Sequence, residues 1–82
     1  MDMARRFLSD AALQELGRIA PHAANLPVDR VWLDYDRKAD VLYVSFRRPQ
    51  EATDSELRDD GVLVRYRGED VVGVTILDAS KR

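Results

Sequence analysis

The sequence predicts an α+β fold: an N-terminal helix packed on a four- to five-stranded antiparallel β-meander. Three observations lead there. Apolar residues recur at three- and four-residue steps between Leu8 and Ala23, the period of a helix with one apolar stripe. From Val31 onward, short β-branched and aromatic runs take over, as strands require. Asp- and Gly-bearing turns separate those runs closely enough for hairpins. Residues 1–30 are read as helix and linker and residues 31–82 as the meander, together one compact domain.

The helix is expected over residues 9–20, with Leu8, Ala12, Leu16, Ile19 and Ala23 forming the stripe. Ser9 or Asp10 can cap its start, because either side chain accepts a spare backbone N–H of the first turn. Gly17 weakens the middle, and Pro21, which lacks an N–H, stops or kinks the helix. Residues 21–30 then form a linker, with room for one short helical turn opened by Pro21.

The first hairpin is expected to join residues 31–35 to 40–47 through a loop from Asp36 to Ala39. That register sets Leu33 against Leu42, Val31 against Val44, and Trp32 against Tyr43 on the opposite face. A one-residue slip would pair apolar with polar positions. Arg47 to Glu51 breaks the pattern, and residues 52–57 are strand-compatible but polar, so a short, poorly buried strand is expected there. The last hairpin joins residues 62–67 to 71–77 through Gly68, Glu69 and Asp70. It pairs Tyr66 with Val72, Val64 with Val74 and Val62 with Ile76 on one face. Gly73 inside a strand signals a bulge or a close approach by another group.

The sheet so built has two partly apolar faces, one with Val31, Leu33, Leu42, Val44, Phe46, Val62, Val64, Tyr66, Val72, Val74 and Ile76, the other with Trp32, Val41, Tyr43, Leu63, Val71 and Leu77. A helix of about 12 residues is about 18 Å long and covers one face. At 82 residues a single core gives a thin stability margin, and the absence of Cys excludes disulfide staples. Partner docking, first of all a homodimer, is therefore expected, with another small protein as the other possible partner. Trp32, Tyr43, Leu63 and Leu77 are the interface candidates, large aromatic and aliphatic side chains on the uncovered face.

The motifs from Asp34 onward resemble a known family. They are Asp34-Tyr35-Asp36, Ala39 to Val44, Asp60-Gly61-Val62-Leu63-Val64, and Val72 to Ser80. In this order and spacing they resemble the small bacterial and archaeal family named domain of unknown function 2283, over essentially the whole meander. The resemblance implies a compact antiparallel β-domain without established catalytic residues. Family members beside small toxin-like genes imply an antitoxin-like role as an alternative.

No constellation for catalysis emerges. Asp34, Asp36 and Asp40 open like a calcium loop, but Ala39 and Ser45 stand where that motif needs Gly and Glu. Turn capping accounts for the three carboxylates. Asp59-Asp60 and Glu69-Asp70 are adjacent acids on exposed turns rather than a sheltered acid–base pair. His22 is the only histidine, and no serine has the setting of a nucleophile. No metal or cofactor is expected, and the chain is read as not an enzyme. Arg65 and Arg67 share a face with aromatics and are the candidates for nucleic-acid contact. With 13 basic against 15 acidic residues and no basic block, nucleic acid is not the expected partner. No apolar run reaches the ~20 residues that span a bilayer. The N-terminus reads as lacking a secretion signal, which together with the missing Cys gives a cytoplasmic expectation.

Overall fold

The computed structural model describes residues 8–82. Helix α1 spans Asp10–Ala24. Five strands follow: β1 Trp32–Asp36, β2 Val41–Ser45, β3 Asp54–Leu57, β4 Val62–Arg67 and β5 Asp70–Leu77. A 3₁₀ turn, Ala79–Lys81, ends the chain. The fold is α+β, one N-terminal helix and one five-stranded antiparallel sheet.

The helix starts at Ser9, whose Oγ accepts the Ala12 N–H at 3.2 Å. It does not stop at Pro21, as the sequence suggests, but runs through it to Ala24. Pro21 lies in the last turn, where the missing N–H matters least. Only one backbone bond is lost, close to the end. The last turn then closes in 3₁₀ fashion, Asn25 and Leu26 donating to the carbonyls of His22 and Ala23.

The strand order is β1-β2-β5-β4-β3. Strands β3, β4 and β5 form a meander, but β2 lies beside β5, not beside β3 as a simple meander would have it. Composition explains the order. β2 and β5 carry apolar residues on both faces and take central positions, where both faces are covered best. β3 is Asp-Ser-Glu-Leu, fully exposed, and takes an edge. The chain between β2 and β3 must therefore cross two strands. Phe46 N–H bonds the Val72 carbonyl at 3.0 Å at the start of this crossover, and Thr53 N–H bonds the Tyr66 carbonyl at 2.8 Å at its end.

The first hairpin keeps a four-residue loop, but the loop is Arg37 to Asp40, one residue later than expected. Leu33 consequently pairs with Val44 and Tyr35 with Leu42, a register shift of two. Trp32 faces Ser45 and Tyr43 faces Asp34, so the expected Trp32–Tyr43 pair is a diagonal one. The cause is Asp40, which adopts φ 55° and cannot extend the strand. Because the shift is even, every side chain keeps its face. The last hairpin follows expectation at Val62–Ile76 and Val64–Val74, and a bulge then moves Tyr66 onto Val71.

Among the described residues, the buried apolar side chains are Val41, Val44 and Val72, joined by Thr75. None belongs to α1, which has no buried residue. The accessible surface is 6900 Å². The scaling for compact monomers gives about 5,000 Å² for the 9.4 kDa chain. The radius of gyration, 14.4 Å, likewise exceeds the ~12 Å expected of a compact chain this long.

Candidate functional site

An apolar concavity lies between the C-terminal half of α1 and the sheet. His22 and the apolar Ile19, Ala23, Leu26, Val31, Leu33 and Val44 line a cleft of about 340 Å³. Helical periodicity places Ile19 and Ala23 on one side, and strand alternation places Leu33 and Val44 on one sheet face. Further toward the N-terminus, Leu13 and Leu16 are 49% and 52% exposed, although they belong to the apolar arc of the helix. Leu33 stays 47% exposed at the mouth of the cleft.

The opposite face holds the four interface candidates. The registers put Asp34, Tyr43, Thr75, Leu63 and Leu57 in one row across all five strands. Leu77 sits beside Val41, and Trp32 begins the next row, followed by Ser45, Gly73, Arg65 and Ser55. Tyr43 and Leu77 are exposed, whereas Trp32 and Leu63 are half-buried. The crossover runs over this face. Gln50 Nε2 donates to Ser45 Oγ at 2.7 Å and lies directly on Gly73. A Cβ at Gly73 would meet that amide and come within 2.9 Å of the Val44 carbonyl oxygen. The close approach that a strand glycine signals is thus a side chain from the crossover.

Arg65 and Arg67 take different environments. Arg67 Nη1 pairs with Glu51 Oε2 at 2.8 Å and also reaches the Glu51 carbonyl. Arg47 approaches the same carboxylate at 3.9 Å. Arg65 is half-buried beside Gly73, and its buried Nε has no acceptor among the described residues.

A polar cluster that local sequence does not reveal forms around Asp40. Its Oδ1 accepts the Tyr35 hydroxyl at 2.7 Å and the Ser80 N–H at 2.9 Å, and its Oδ2 accepts the Ser80 hydroxyl at 2.8 Å. The Tyr35 bond, followed by the Ser80 bonds, holds the Asp40 carboxyl below its usual range. The same Asp40 bond raises the Tyr35 phenol. A carboxylate satisfied by three donors is a weak base, and a serine that donates to a carboxylate has no imidazole to take its proton. The arrangement ties the C-terminal turn to the first hairpin. Asp36, also in this loop, accepts the Ala39 N–H at 3.1 Å. Asp34 faces Tyr43 from the neighbouring strand. Among the described residues no three acidic, His or Cys groups are gathered to hold a metal ion, and no helix is long and apolar enough to cross a membrane.

No curated protein and no solved structure matches the chain significantly. A family model does match, over residues 32–80, which takes in all five strands and the Asp40–Ser80 tie. That span is more than half of the chain, and the protein belongs to the family of proteins of unknown function DUF2283.

Proposed function

We propose that the chain is a non-enzymatic protein-interaction module that works as a homodimer. The observation that carries this reading is the apolar arc of α1: Leu13, Leu16 and Ile19 are all at least 42% exposed, and no residue of the helix is buried. A lone helix of this length, interrupted by Gly17 and Pro21, is marginal in water without a packing surface. The polar clusters are engaged in holding turns together, which supports a role other than catalysis. The alternative, an antitoxin-like or nucleic-acid-associated regulator, draws for nucleic-acid contact on Arg65 and Arg67. Glu51 occupies Arg67, which leaves that alternative with little support.

Sedimentation velocity of the untagged chain at micromolar concentration tests the proposal. The expected result is a species of twice the 9.4 kDa chain mass that dissociates on dilution. A single-chain mass persisting to several hundred micromolar would overturn it.

A further inference from the structure

Resting on the interaction reading above, we propose that two chains join β1 to β1, antiparallel and centred on Leu33, into one sheet continuous across a two-fold axis. β1 is an edge strand, and the ladder fixes where its backbone groups point. Phe46 N–H bonds the Val72 carbonyl on β5. Alternation along β2 then turns the groups of Val44 and Leu42 toward β5 and those of Ser45, Tyr43 and Val41 toward β1. Their partners on β1 are Trp32, Asp34 and Asp36. The N–H and C=O groups of Leu33 and Tyr35 therefore point away from the sheet, and no backbone group of another described residue bonds them. β1 has no proline, lysine or bulge to blunt this edge. Leu33 and Tyr35 are 47% and 43% exposed. The far edge differs, because on β3 Asp54 Oδ1 already accepts the Ser55 N–H at 2.8 Å.

Charge selects the strand that fits. Asp34 and Asp36 share the face opposite Leu33 and have no ion pair among the described residues. A docking strand must bring a cation to that face. Arg30, two residues before β1, falls on it by continued alternation and is also without an ion pair among the described residues. Self-pairing must match outward groups with outward groups, so few registers are open. Centred on Asp34, it sets Asp34 on Asp34. Centred on Tyr35, it sets Asp34 on Asp36. Both are like-charge pairs, which destabilise. Centred on Trp32, it leaves the Tyr35 groups opposite Asp29, outside the strand. Centred on Leu33, it sets Leu33 on Leu33, Val31 on Tyr35 and Arg30 on Asp36, the last two repeated by symmetry.

That register uses the outward groups of both Leu33 and Tyr35 and neutralises Asp36. Trp32 meets the second copy's Asp34, with an indole already half-buried in its own chain. The two-fold stands perpendicular to the joined sheet, so both α1 helices and both clefts lie on the same face of it.

Swapping the two charges tests the register. Residues 30 and 36 of one extended chain are about 20 Å apart and cannot pair with each other, so any rescue acts between chains. Asp36→Arg should weaken the dimer about tenfold, as two like-charge pairs replace two unlike ones. Adding Arg30→Asp to that chain should restore most of the affinity. Both variants lack the Asp36 bond to the Ala39 N–H, so its loss cancels in the comparison. Hydrogen exchange of the parent chain reads the same geometry without a substitution. The Leu33 and Tyr35 amides should exchange slowly in the dimer and about tenfold or more faster on dilution to monomer. A dimer in which these amides stay fast overturns the edge pairing and leaves the interaction module standing. So does a double variant that associates no better than Asp36→Arg. A monomer with fast amides at every concentration overturns both proposals. A monomer with slow amides overturns both as well, and assigns the edge to residues 1–7 of the same chain.

Discussion

Ser80 is bonded twice to the carboxylate of Asp40, a residue forty positions earlier, through its backbone N–H at 2.9 Å and its hydroxyl at 2.8 Å. The Asp40 carbonyl accepts the Ala79 N–H at 3.0 Å as well. Three bonds thus clamp the C-terminal turn to the β1–β2 loop. Asp40→Ala should lower the melting temperature more than Asp40→Asn, which keeps an acceptor for the backbone N–H. Ser80→Ala should cost least, since it removes only the hydroxyl bond. Thermal melts of the three variants check the order, and an Asp40→Ala chain as stable as the parent would remove the clamp from the account.

The same cluster predicts a pH signature at both ends of the scale. Bonds from Tyr35 and then Ser80 lower the Asp40 carboxyl below the usual 3.8, so the unfolded state binds its proton more tightly than the folded state. The contribution is complete above pH ~4 and is lost as pH falls through the lowered folded value. Tyr35 is raised above the usual 10.0 by its bond to Asp40, so its share is complete below that pH and lost as pH rises through the raised value. Tyr35 is exposed and Asp40 only half-buried, which keeps the effect small. Tyr35→Phe should flatten the stability profile at both extremes, and denaturant titrations from pH 2 to 11 read it directly.

Gly73 and Gln50 form the second long-range contact. A Cβ at residue 73 meets the Gln50 amide, which can move, and the Val44 carbonyl, which cannot. Gly73→Ala should therefore destabilise by about 1–3 kcal/mol, the range for overpacking. Gln50→Ala in the same chain should relieve only the part due to the amide. A double-mutant cycle by urea unfolding measures that coupling. Additivity of the two changes would mean that the backbone oxygen alone carries the clash.

Sequence makes the strands and their faces legible because alternation survives any even slip. Leu33 and Val44 fall on one face by pattern alone, and Trp32 and Tyr43 on the other, although both expected pairings are off by two. The slip is invisible in the sequence because Asp40 looks like an ordinary strand-opening residue until its partner Ser80 is in place. The neighbour of β2 is hidden for a related reason. Local pattern specifies hairpins, whereas the β2–β5 ladder joins residues some thirty apart, as in Val44 with Val74. Gly73 gives the one local clue to the crossover, though not to the identity of Gln50. The helix reaches further than Pro21 alone suggests because the proline falls in its last turn and removes a single backbone bond. The apolar stripe itself is clear from spacing, and its exposure is not, since periodicity tells which side chains share a face but not what covers them.

The two sheet faces make opposite predictions for self-association. Trp32 lies on the face crossed by the segment carrying Gln50, and Leu33 lies at the mouth of the helix cleft. Trp32→Ala should reduce stability of the single chain while leaving dimer affinity within about twofold. Leu33→Ala should weaken the dimer by about 1 kcal/mol or more, as truncation of a central anchor does. Sedimentation equilibrium of both variants decides between the faces. Loss of affinity in the Trp32 variant, with Leu33→Ala unchanged, would move the interface to the side holding Tyr43 and Leu77.

Gly17 offers a test of how much the helix itself limits the fold. It sits at the middle of α1 without a positive φ, and a methyl group added there would meet no neighbour within 4 Å. Gly17→Ala should therefore add stability, by about 0.5–1 kcal/mol, by narrowing the unfolded ensemble and favouring the helix, since the added methyl meets no neighbour. The gain should register as greater helical ellipticity in dilute monomer, where no partner supports α1. In the dimer the helix is already held, so the ellipticity gain should shrink as protein concentration rises. A gain that is the same at every concentration would mean that α1 is equally ordered in both states, and that docking does not stabilise it.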